Sequence, residues 1–171
     1  DVIQQTRQSE DSPNGYIFGA GFGNILSMTL LYPEGQLPRS IFAVDVLPEI
    51  VIVGRMFVNV LSEAEDFSAL NSGLRDEAVL KKVYDRFLVQ EKNENVRQRL
   101  QRVSFEKVRN DITNVLSREY LPSEGIKQSV LGGKERVSVI AVVRDNFNTL
   151  QQLAREGNIG VAYADMTNPQ T

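Results

Sequence analysis

The stretch Gly15–Val46, GYIFGAGFGNILSMTLLYPEGQLPRSIFAVDV, decides how the rest of the chain is read. A short apolar run feeds directly into Gly19-Ala20-Gly21-Phe22-Gly23, and Asn24–Tyr32 is apolar enough for a buried helix that stops before Pro33. After a loop with two prolines, Ser40–Val46 (SIFAVDV) reads as a strand buried on both faces, the pattern of a parallel sheet. The unit is therefore strand, glycine turn, helix, strand. Its two strand ends carry a flexible main-chain turn and a carboxylate, Asp45.

Working outward, Pro48 suits the first turn of a helix running to about Leu61. Residues 62–73 are polar and small and read as a loop. Val79, Leu80, Val83, Tyr84, Phe87 and Leu88 recur at helical spacing over 74–90, and Val96, Leu100, Val103, Val108, Ile112 and Val115 do the same over 94–120. Arg136–Val143 (RVSVIAVV) reads as a third strand, Asn146–Glu156 as a short helix ended by Gly157, and Ile159–Ala164 (IGVAYA) as a fourth strand. The expected fold is α/β, a Rossmann-like parallel sheet with helices on both faces. A helical insertion of about 62–133 separates the second and third strands. Residues 1–14 form a polar arm ahead of a single domain over 15–171.

Composition narrows the chemistry. The chain has 171 residues, 19 basic against 22 acidic, with no Cys and no His. This removes disulfide frameworks, thiolate chemistry, His- or Cys-ligated metals and Ser–His–Asp triads. A globally basic nucleic-acid binder is disfavoured. Arg97, Arg99, Arg102, Lys107 and Arg109 cluster with Glu106 as the only acid among them, but flanking acids and the lack of interleaved aromatics favour a solvated helix face over a nucleic-acid surface. No run reaches the ~18–20 apolar residues of a membrane span, and residues 1–15 are too polar for a signal peptide. A cytoplasmic protein is expected. The apolar stripes of the insertion helices offer a possible homodimer interface.

In parallel sheets, ligands sit at the carboxyl ends of the strands. Glycines there let the main chain approach a ligand closely, and a carboxylate ending the next strand accepts two hydrogen bonds from a ribose. Gly19, Gly21 and Gly23 with Asp45 thus point to an adenosine-type ligand. A dinucleotide fingerprint wants a third glycine where Asn24 stands.

The glycines read G-x-G-x-G, and with VDVLPE (Val44–Glu49) the chain resembles the class I S-adenosylmethionine-dependent methyltransferases. Val142–Pro169, VVRDNFNTLQQLAREGNIGVAYADMTNP, is similar to that family's later stretch. The resemblance implies S-adenosylmethionine as cofactor and methyl transfer to an acceptor it does not identify. It implies Gly19, Ala20, Gly21 and Gly23 at the methionine part, Asp45 at the ribose, and Val46 and Leu47 beside the adenine. Asp145 or Asn146 would face the adenine amino group, and Asp165 with Asn168 would line the reactive end. Ile17 and Phe18 stand where the family often has an acid, and the insertion lengthens the spacing between Asp45 and Asp145. Two other readings stay open: an NAD(P)-binding oxidoreductase, and a non-catalytic interaction or sensing domain on the same fold.

Overall fold

A computed structural model of the chain describes residues 16–19, 21–27, 29, 38–117, 119–120 and 137–164. The elements, in chain order, are β1 (Tyr16–Gly19), α1 (Phe22–Ser27), β2 (Ser40–Asp45), α2 (Pro48–Glu63), α3 (Phe67–Gly73), α4 (Glu77–Gln90), α5 (Glu94–Gln101), α6 (Phe105–Ser117), β3 (Glu119–Tyr120), β4 (Val137–Ser138), α7 (Val139–Asp145), α8 (Phe147–Arg155) and β5 (Ile159–Tyr163). The protein is mixed α/β.

Among the described residues the parallel sheet has three strands in the order β1-β2-β5. Side chains alternate across it, as strand geometry requires. Ile17, Ile41, Ala43, Ile159, Val161 and Tyr163 are buried on one face. Phe18, Phe42 and Ala162 are exposed on the other. Helices α1 and α2 lie on the buried face. Gly54 brings α2 so close that a Cβ there would stand 2.7 Å from Val161 Cγ2 and 3.0 Å from Phe22 Cγ of α1. The rings of Phe22 and Phe57 meet edge to face at 5.7 Å.

Helix α2 buries Val51, Ile52, Val53, Gly54, Met56, Phe57, Val60 and Leu61. These residues cover most of the helix circumference, leaving a half-buried strip of Arg55, Asn59 and Ser62. The sheet takes one side and α8 another, while α4 and α6 of the insertion pack on the remainder. Sheet, α2 layer and insertion are therefore stacked. The expectation of helices on both sheet faces does not hold among the described residues, because the insertion spends its apolar stripes on α2. Leu80, Val83, Tyr84, Leu100, Val108 and Ile112 are buried within the single chain, so these side chains are not available to a second copy.

Four element assignments are corrected. Residues 67–73 form α3 instead of loop: Asp66 caps it, Oδ1 accepting from the Ala69 N–H at 2.7 Å, and Leu70 anchors it. The helix expected over 94–120 breaks at 102–104, where Ser104 Oγ accepts from the Lys107 N–H at 3.3 Å and starts α6. Of the strand expected at Arg136–Val143, the described residues 137–143 are extended at Val137–Ser138, which pairs antiparallel with β3. From Val139 the chain is helical, burying Val139, Val142 and Val143 at the i, i+3, i+4 spacing of one helix face. The third strand of the parallel sheet is instead Ile159–Tyr163. The helix expected from Asn24 starts earlier, at Phe22, and its described part is Phe22–Ser27, with Thr29 Oγ1 donating to the Leu26 carbonyl at 2.6 Å.

Candidate functional site

The carboxyl ends of β1 and β2 lie side by side. The register sets Gly19 opposite Ala43. Asp45 stands two residues further along, ~7 Å at strand rise, so it reaches the height at which β1 has given way to its turn. On its other side Asp45 is opposite Tyr163, the last residue of β5. The glycine turn, the carboxylate and the end of β5 share one rim.

Gly21 has φ 78°, a left-handed conformation that a side chain would strain, and its carbonyl accepts the first helical hydrogen bond of α1, from Ile25 N–H at 3.1 Å. Gly21 is thus the residue that turns strand into helix. Gly19 has a packing reason to lack a side chain: a Cβ there would sit 3.3 Å from Ile25 Cδ1. Gly23 lies inside the first turn of α1, not in the loop ahead of it. Ala20 is outside the described residues.

The Asp45 carboxylate has a local task. Its Oδ1 accepts from the Leu47 N–H at 2.9 Å, and Leu47 is the N-cap of α2, with Pro48 in the first turn. Its Oδ2 has no protein donor among the described residues. Beside it, Val46 and Leu47 expose 51% and 50% of their surface. Two exposed aliphatic side chains next to a carboxylate whose Oδ2 takes no donor from the described residues form a surface suited to an apolar ring carrying a hydroxylated sugar.

Asp145 and Asn146 are placed differently from a strand end. Asp145 ends α7 and pairs with the Arg144 Nε at 2.9 Å. Asn146 is the hinge between α7 and α8, its Nδ2 donating to the Val142 carbonyl at 3.0 Å. The strand that would bring them to the rim is helix. Asp165 and Asn168 lie outside the described residues, as do residues 1–14.

Two arginines touch β5: Arg99, expected on a solvated helix face, and Arg55, which sequence reasoning passed over. Arg99 of α5 donates to the Tyr163 hydroxyl at 2.8 Å and lies over its ring, the guanidinium carbon 5.7 Å from the centroid. Arg55 of α2 donates through Nε to the Val161 carbonyl at 2.8 Å and through Nη1 to Glu91 Oε2 at 2.7 Å. A cleft of about 430 Å³ runs beside this pair, lined by Arg55, Asn59, Phe87, Gln90, Glu91 and Lys92. Burial works to raise the Glu91 carboxyl. The hydrogen bond from Arg55, the Asn93 N–H at 3.0 Å and the Arg55 charge outweigh it and hold the group below the ordinary glutamate range. An arginine inside the apolar run VIVGRMFV was the signal for Arg55, since a buried cation needs a partner.

The basic cluster of the insertion is largely paired within the chain. Arg97 bonds Glu94, Arg109 bonds Glu77, and Lys107 lies 3.0 Å from Asp111 and 3.5 Å from Glu49. Among the described residues there is no group of three or more Asp or Glu able to hold a metal, and no helix long and apolar enough to cross a membrane.

Compared with protein-family models, with curated proteins and with solved structures, the chain finds no match.

Proposed function

We propose that the rim of β1 and β2 binds the adenosine part of S-adenosylmethionine, on a Rossmann-like half-sheet, and that the protein is methyltransferase-like. The observation that carries the reading is the register: parallel pairing of Gly19 with Ala43 delivers the Gly19–Gly21 turn and Asp45 to the same edge of adjacent strands. Asp45 Oδ2 would accept from the ribose hydroxyls, Val46 and Leu47 would cover the adenine, and the turn at Gly21 would admit the amino-acid part close to the main chain. When bound, this cofactor supplies an already activated methyl group, which suits a chain without His or Cys; the protein's own contribution is to hold the two reactants in line. Asp165 and Asn168 remain the residues proposed for the reacting end. Asp145 and Asn146 are not needed for this reading.

S-adenosylmethionine is favoured over a dinucleotide because Gly23 is already helical and Asn24 follows it, so the third glycine of a dinucleotide turn is lacking. Calorimetry on the folded chain is the test: S-adenosylhomocysteine binds and NADH does not. Asp45→Asn keeps an oxygen for the Leu47 N–H yet removes the charge. It lowers affinity by roughly tenfold to a hundredfold, the worth of a hydrogen bond to an ionised group. A folded chain that binds neither ligand, or an Asp45→Asn variant that binds as well as the parent, overturns the proposal.

A further inference from the structure

Parallel pairing turns alternate residues of a strand to opposite sides. In β5 the side facing β2 is fixed at both ends: the Asn158 carbonyl accepts from Ile41 N–H at 2.7 Å, and the Ala164 N–H donates to the Asp45 carbonyl at 3.2 Å. Ile159, Val161 and Tyr163 therefore aim their main-chain groups at the outer edge, where no further strand pairs among the described residues. Such an edge is a template for another chain. The unpaired template is IGVAY, uncharged and rich in β-formers, a sequence well suited to pair with its own copy.

The middle of that edge is occupied by Arg55. It reaches over from α2, at the point where Gly54 lets the helix sit on Val161, and places Nε on the outward Val161 carbonyl at 2.8 Å. The guanidinium is held from behind by Glu91 Oε2 at 2.7 Å, and Glu91 is itself fixed by the Asn93 N–H. We infer that Arg55 is an edge guard: clamped by Glu91, it closes the outer edge of β5 against strand addition by a second copy of this chain. The guard takes the central acceptor of the five-residue register and puts a charged, planar group where an incoming backbone would lie.

The test compares the parent chain with Arg55→Ala and Arg55→Lys, by sedimentation over a concentration series and by amide exchange. Lysine keeps the charge and stem but lacks the fork that spans Val161 and Glu91. Both variants are expected to self-associate about tenfold or more tightly than the parent, with new protection at Ile159, Val161 and Tyr163. A synthetic peptide of residues 157–164 should bind the variants and not the parent. If Arg55→Ala does not fold, Arg55→Lys and the peptide decide the matter. Variants that associate no more than the parent, association that protects amides elsewhere but leaves β5 unchanged, or a parent chain that takes up the peptide would each overturn the inference.

Discussion

The two faces of the parallel sheet are built from the same three strands and have opposite characters. One face, Ile17, Ile41, Ala43, Ile159 and Val161, lies under α1 and α2 and is closed to solvent. The other carries Phe18, 72% exposed, beside Phe42, whose ring covers Gly160 so closely that a Cβ there would stand 2.8 Å away. The difference teaches where the insertion goes. Among the described residues it does not form a second cover for the sheet. Its described helices pack behind α2, and one helix is thereby covered over most of its surface while no described helix covers the aromatic face of the sheet.

The contrast can be broken most sharply at Gly54. Gly54→Leu forces side-chain carbon into Val161 and Phe22 where α2 closely approaches the sheet, and should cost about 3 kcal/mol in urea unfolding. A loss below ~1 kcal/mol would mean that α2 can lift from the sheet at little cost. Gln151 offers a smaller cut. Its Nε2 donates to the Ala64 carbonyl, and Arg155 Nε to the Ser62 carbonyl at 2.9 Å, so α8 satisfies acceptors at the C-terminal end of α2. Gln151→Ala leaves the Ala64 carbonyl with only the longer hydrogen bond from Arg155 Nη2 at 3.4 Å and should cost about 1 kcal/mol by the same measurement. The open face should respond least: Phe18→Ser is expected to change stability by ~0.5 kcal/mol or less, as exposed substitutions do. A large loss at Phe18 would show that this face is covered in solution.

Much of this arrangement is legible from residue order. The strands read at Ser40–Val46 and Ile159–Ala164 form, each one residue shorter, as Ser40–Asp45 and Ile159–Tyr163, Gly21 turns strand to helix, and Asp45 ends β2. What failed has identifiable causes. Val139–Val143 is apolar and β-branched, as SIFAVD is, and a run of that length does not distinguish a strand from one face of a buried helix. Its conformation was settled by α1 and α6, which α7 packs against. The α3 helix carried a readable cap in Asp66, overlooked because its body is small and polar. The break at Ser104 was likewise signalled by a capping residue inside a longer periodic pattern. Arg55 was hidden for a different reason: its two partners lie 36 and 106 residues away, a separation at which local spacing carries no information.

The enclosure of α2 also has a thermodynamic meaning. Either half of the molecule, taken away, would strip apolar cover from the same helix, so neither half keeps its core without the other. Sheet and insertion, though far apart along the chain, must melt as one unit, in a single transition whose calorimetric and van't Hoff enthalpies agree.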